Sequence, residues 1–190
     1  GRPPLQAGVE RPRPGGLTLA PPHDPLRSAQ NRRMPTGKLE RTRLVVGVDL
    51  GTTNTALAYV DRQTGTKART VRDLELPQLT DPGVVRPLPT LPSAVWVRGP
   101  ELANEQVALP WDPQGTAPTI VGALARGRAS LGASDRLITS AKSWLCHPGV
   151  DRKGKILPWS GASLAPDDVQ RRSPVDVQAL ILGHVRAAWD

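Results

Sequence analysis

Leu44-Val45-Val46-Gly47-Val48-Asp49-Leu50-Gly51-Thr52-Thr53-Asn54-Thr55-Ala56-Leu57-Ala58-Tyr59-Val60 is the stretch that decides how this chain folds. Leu44 to Leu50 is a short apolar run rich in β-formers and reads as a buried strand. Gly51-Thr52-Thr53-Asn54 is turn chemistry, and Thr55 to Val60 reads as a second strand. Two strands joined by a tight polar turn predict an antiparallel hairpin. Asp61 to Gly65 supplies the next turn, and Thr66 to Leu74 is expected to return as a third strand.

Asp49 closes the first strand as a lone carboxylate inside an apolar run. Burying an unpaired carboxylate is costly, so Asp49 is expected to be solvated, paired or near a cation. Gly51 lets backbone approach a ligand closely, and successive N–H groups of a tight turn can form an anion-binding nest. Thr52 and Thr53 add hydroxyls, and Asn54 adds an amide. A carboxylate for a metal beside a turn for phosphate is what a metal–nucleotide complex needs. The residues alone leave two readings open, this one and an ordinary polar hairpin.

Three segments together resemble a known family. Val48 to Thr55 closely resembles the first phosphate motif of the seventy-kilodalton heat shock proteins, the DnaK-type chaperones. Pro89-Thr90-Leu91-Pro92-Ser93-Ala94-Val95 is similar to that family's Thr-Thr-Pro-Ser segment, and Ser140-Ala141-Lys142-Ser143-Trp144-Leu145 to the segment bearing its catalytic lysine. The run from Ser140 to Asp151 resembles a divergent bacterial branch. The family usually has Lys-Arg where this chain has Lys142-Ser143, and typical members lack a counterpart of Pro148 to Pro166. The resemblance spans residues 44–190. It implies an α/β fold, the first lobe of an actin-like (ribonuclease H-like) ATPase. Its mixed sheet would start with an antiparallel hairpin, and the lobe would be incomplete, an N-terminal piece of a nucleotide-binding domain over 42–190. It implies ATP and Mg²⁺ as cofactors, Asp49 as metal and catalytic residue, Gly51, Thr52, Thr53 and Asn54 as phosphate-binding residues, and Lys142 as catalytic. It further implies ATP hydrolysis serving a cytoplasmic chaperone whose partners are unfolded polypeptides and co-chaperones, with the piece itself inactive. A sugar kinase or another phosphotransferase of the same superfamily shares the hairpin but leaves Thr90 to Val95 and Lys142 unexplained together. No Walker A pattern is present, which argues against a P-loop mechanism.

Further along, Ala94 to Val97 reads as a strand and Val107-Ala108-Leu109 as a short one. Ile120, Val121, Leu124 and Leu131 suggest a helix, weakened by Gly122 and Gly127. Ser134 is placed to cap another helix through Leu137, Ile138, Ala141 and Leu145, with Lys142 pointing off the centre of its apolar face. On spacing alone Lys142 reads as an exposed surface lysine, and only the resemblance favours contact with phosphate. The clearest helix is the last. Ser173 is its N-cap, Pro174 suits its first position and Asp176 completes a capping-box pattern. Val177, Leu180, Ile181, His184, Val185 and Ala188 share one face.

Charge divides the chain. Nine basic and three acidic residues fall in residues 1–43, within a total of 25 Lys+Arg and 17 Asp+Glu over 190 residues. Residues 1–41 read as a disordered, basic, Pro-rich arm, because they lack the apolar periodicity to offset roughly 1–2 kcal/mol per residue of ordering entropy. Arg32-Arg33 and Arg41-Thr42-Arg43 leave open a non-catalytic module binding nucleic acid, though a solvated tail is the simpler reading. The sole Met, Met34, also leaves open a natural start within the arm. One Cys excludes a disulfide framework and any multi-cysteine zinc site, so Cys146-His147 offers too few ligands for zinc. No apolar run reaches the roughly 20 residues that cross a bilayer, and no secretory h-region is present, so no membrane partner is expected. Trp144, Trp159 and Trp189 are expected to pack rather than stack on bases.

Overall fold

Strand β1, Leu44–Leu50, pairs antiparallel with β2, Asn54–Asp61, from Leu44 opposite Asp61 to Leu50 opposite Thr55. This is the hairpin the sequence predicts, in a computed structural model that describes residues 43–63, 70–100, 105–128, 134–159 and 169–190. The basic arm and part of the expected third strand lie outside the described residues. What is described of that strand is β3, Arg72–Asp73, paired with β2 at Ala58 and Tyr59. Strand β6, Leu91–Pro92, pairs with β2 at Asn54 and Thr55.

A second hairpin joins β4, Leu76–Asp81, to β5, Val84–Leu88, and a three-stranded sheet has the order β8-β7-β9, with β7 at Val95–Val97, β8 at Thr119–Val121 and β9 at Leu137–Ile138. The helices are α1, Ala123–Gly127, α2, Ala141–Leu145, and α3, Pro174–Trp189. The fold is therefore α/β, and every described strand pairing is antiparallel rather than mixed. Among the described residues no helix is long and apolar enough to cross a membrane.

Three of the expected secondary-structure assignments need correction. Thr119 to Val121 is a strand, not the start of a helix. Its β-branched residues favour a pleat, and Gly122, at φ 99° and ψ −141°, turns the chain sharply before α1. Ser134 opens a 3-10 turn, Leu137 and Ile138 join the sheet, and the helix starts only after Ser140. Val107 to Leu109 forms no strand; Leu109 makes a lone bridge to Asp112.

The core is built around β7. Alternate residues of a strand face opposite sides. Val95 and Val97 enter one cluster with Leu57, Leu76, Ile138, Val177, Ile181 and Val185, while Trp96, with neighbouring Ala94, enters another with Leu79, Ile120 and Leu124. Helix α3 supplies its predicted face, with Val177, Ile181, His184 and Val185 buried. Its capping box is formed: Asp176 N–H donates to Ser173 Oγ at 3.0 Å, and Ser173 N–H donates to Asp176 Oδ2 at 3.2 Å. Trp189 packs edge-on against Tyr59, whereas Trp159 is exposed and tilts over Trp144. Trp159 thus departs from the packing role expected of it.

His184 gives the fold a pH dependence. Its ring is buried, meets Trp111 edge-on at 4.9 Å and hydrogen-bonds the Pro77 carbonyl through Nε2 at 2.9 Å. Burial lowers its pKa from the usual histidine value, against a smaller opposite pull from the Pro77 carbonyl. The unfolded chain therefore binds a proton at this residue that the folded chain resists. Its contribution to stability is complete above an unfolded pKa of about 6.5 and declines as pH falls below it. Urea unfolding of the wild type is expected to show that decline between neutral and mildly acid pH, and His184→Gln should remove that part of the slope. A slope unchanged by the substitution would assign the effect elsewhere.

Candidate functional site

The turn between β1 and β2 is closed by glycine for a steric reason. A Cβ at Gly51 would lie 2.1 Å from the Asn54 carbonyl oxygen, so any other residue forces the turn open. Thr52, Thr53 and Asn54 are exposed, as is Asp49 in β1, opposite Ala56. The sequence expectation of a solvated Asp49 thus matches its position.

The second motif holds this turn from one side. Ser93 N–H donates to the Thr53 carbonyl at 2.9 Å, and Ser93 Oγ donates to the Gly51 carbonyl at 2.8 Å. With its proton committed there, Ser93 Oγ accepts from buried Thr55 Oγ1 at 3.0 Å. Strand β6 adds ladder pairing at Asn54 and Thr55. The turn is thereby fixed through its carbonyls.

Lys142 arrives from the third motif. Its ammonium donates to the Leu50 carbonyl at 2.7 Å, across 92 positions of sequence. Strand geometry explains why that carbonyl is accessible. Arg62 N–H donates to Arg43 O, so odd-numbered residues of β1 turn their backbone groups toward β2 and even-numbered ones turn theirs to the open edge. Leu50 is one of the latter. Helix α2 is only five residues long and follows Ser140 in the left-handed region, at φ 55°. A non-glycine residue there costs of order 1–3 kcal/mol, strain held two positions before the lysine. Lys142 is exposed, so two of its three ammonium protons remain for a ligand or water.

Sequence reasoning missed one member of this constellation. Arg126, on α1, donates to the Thr53 carbonyl and, at 3.1 Å, to Asn54 Oδ1. Neither its spacing nor its neighbours in sequence mark it. It places a guanidinium beside the turn. Asp49, Gly51, Thr52, Thr53, Asn54 and Lys142 therefore lie at one end of one hairpin, with Ser93 and Arg126 as supports. A separate cavity of about 490 Å³ beside α3 is lined by Trp111, Leu180, His184, Arg172 and Asp176 among others, and by none of the six. Two cations at a glycine-closed turn, with a carboxylate on the adjoining strand, form an arrangement able to receive an anion accompanied by a metal ion.

No protein-family model matches the chain, and neither a curated protein nor a solved structure matches it significantly.

Proposed function

We propose that this chain is the N-terminal part of an actin-like nucleotide-binding domain of a DnaK-type chaperone, and that the β1–β2 turn receives the phosphates of ATP. The observation that supports this most is the Lys142 ammonium at 2.7 Å from the Leu50 carbonyl, which brings the lysine segment to the phosphate motif. The residues fit the ligand chemically. Gly51 closes a turn that a Cβ would fill, and Lys142 and Arg126 supply positive charge beside it. Asp49 is a single carboxylate, which suits Mg²⁺ arriving with phosphate and water rather than a protein-only metal cage.

In this reading Gly51 to Asn54 bind and orient phosphate through backbone N–H groups and hydroxyls. Asp49 would hold Mg²⁺ beside the phosphates. Lys142, fixed by the Leu50 carbonyl, aims its remaining protons at phosphate oxygen and the attacking water. Arg126 and Ser93 hold the turn in shape. Mg²⁺, when bound, supplies charge neutralisation at the phosphates. Unfolded polypeptides and co-chaperones are the partners implied for the parent protein, and the cytoplasm its compartment.

The test is calorimetric titration with ATP. Wild-type protein is expected to bind more tightly with Mg²⁺ than with EDTA, by about tenfold, equivalent to ~1.4 kcal/mol. Asp49→Asn should abolish most of that difference and leave metal-free binding near the wild-type level. Absence of ATP binding to the full-length protein would overturn the proposal.

A further inference from the structure

Strand β1 is not buried as its sequence predicts: Val45, Val46 and Val48 are exposed, and Asp49 is exposed with them. Asn54, the first residue of β2, shares a face of the hairpin with Asp49. Asp49 lies opposite Ala56, and residues two apart on a strand point to the same side. The Asn54 side chain is exposed there, whereas Thr55 beside it is buried. An asparagine amide is ambiguous in such a place, because it can turn either an acceptor or two donors toward a ligand. Arg126 removes the ambiguity. A guanidinium only donates, so it engages Asn54 through Oδ1, at 3.1 Å, and leaves Nδ2 directed away from itself.

The backbone of the turn is set in the same sense. The Leu50 carbonyl accepts from Lys142, the Gly51 carbonyl from Ser93 Oγ, and the Thr53 carbonyl from Ser93 N–H and from Arg126. In a trans peptide the N–H points opposite to the C=O. These three peptide units therefore turn the N–H groups of Gly51, Thr52 and Asn54 away from the residues that hold them. Among the described residues nothing accepts a hydrogen bond from Gly51 or Thr52 N–H. All of these contacts fall within residues 50–142.

We propose that Arg126 is a positioning residue that sets the specificity of the turn, by fixing the Asn54 amide with Nδ2 toward the ligand. The inference rests on the nucleotide reading and states what Arg126 adds to it. Lys142, Asn54 Nδ2 and the N–H groups of the turn then offer donors alone, while Asp49 supplies the one carboxylate, for the metal. The ligand group that fits is a fully ionised phosphate, an acceptor at each free oxygen. Without Arg126 the Asn54 amide is free to turn its Oδ1 to the phosphate, acceptor against acceptor. It is equally free to donate to Asp49, its diagonal neighbour across the hairpin, which draws both residues away from their ligands.

The experiment uses the full-length protein with ATP and Mg²⁺. Asn54→Ala is expected to weaken ATP binding in calorimetry by about tenfold, the scale of one hydrogen bond to a charged group, and Arg126→Ala by a similar factor. The double variant should lose little more than either single one, about tenfold rather than about 100-fold, because both residues act through the same hydrogen bond to the ligand. Asn54→Asp keeps the shape and the Arg126 contact but has no donor. It should melt no lower than wild type and bind ATP more weakly than Asn54→Ala. A spectroscopic signature separates positioning from support of the fold. The Asn54 side-chain amide resonance, identified by its loss in Asn54→Ala, should shift on addition of ATP to the wild type and stay in place in Arg126→Ala. Wild-type protein that binds ATP, with Asn54→Ala within about twofold of it, would overturn this inference and leave the phosphate reading standing. Fully additive losses in the double variant would do the same, assigning Arg126 a separate effect of charge. Wild-type protein that binds no ATP would overturn both.

Discussion

Lys142→Ala in the full-length protein is expected to slow single-turnover ATP hydrolysis by about 100-fold or more, while nucleotide affinity changes only a few-fold. The asymmetry follows from where the ammonium is fixed. One proton is committed to the Leu50 carbonyl, which anchors the charge at the mouth of the turn; in the proposed reading this limits its contact with ground-state phosphate. The remaining protons gain most where negative charge develops, and an interaction that strengthens in the transition state acts on turnover rather than on binding. Lys142→Arg is a useful companion, because a planar guanidinium does not reproduce a point charge on a flexible stem. A purely structural role predicts something else. Losing one exposed hydrogen bond would cost about 1 kcal/mol of stability and leave hydrolysis unchanged. Thermal melts alongside the kinetics separate the two.

How far the sequence revealed this arrangement depends on how local each signal was. The β1–β2 hairpin was legible because an apolar run, a glycine turn and a second apolar run lie in direct succession. Helix α3 was legible because Ser173, Pro174 and Asp176 encode its start within four residues. The β4–β5 hairpin was not read. Pro77 and Pro87 sit opposite one another inside it, and proline argues against a strand. Its signal was the turn Asp81-Pro82-Gly83, where Gly83 takes φ 73°. Strand β8 was lost to helical spacing, because Ile120 and Leu124 happen to fall four residues apart. At the candidate site, the exposed Asp49 and the tight turn from Gly51 to Asn54 were legible from local sequence, and the approach of Lys142 to that turn only through resemblance. Arg126 was not legible at all, since its role exists only where α1 packs over the turn.

That packing rests on a buried glutamine, and Gln78→Ala is expected to be the most disruptive single change away from the turn. Gln78 is fully buried in β4. Its Nε2 donates to the Thr90 carbonyl at 3.0 Å and to the Leu76 carbonyl at 3.3 Å, and its Oε1 accepts from Ala123 N–H at 3.0 Å. One side chain thus joins the second hairpin, the segment leading to Ser93, and the first residue of α1. The fit allows no alternative at the neighbouring position: a Cβ on Gly122 would lie 2.7 Å from both Gln78 Oε1 and Leu91 Cδ1. Truncation leaves buried backbone groups without partners, each costing about 1–3 kcal/mol, and adds a cavity. Urea denaturation is therefore expected to show a loss of about 3 kcal/mol or more. Gln78→Glu keeps the shape but puts an unpaired acid against two carbonyls, so it should not rescue stability. The consequence reaches the turn, because α1 carries Arg126 and the Thr90 segment carries Ser93. At temperatures where Gln78→Ala is still folded, its ATP affinity should fall although Gln78 touches no proposed ligand group. A variant that loses stability yet binds ATP as tightly as wild type would show that α1 and Ser93 do not shape the site.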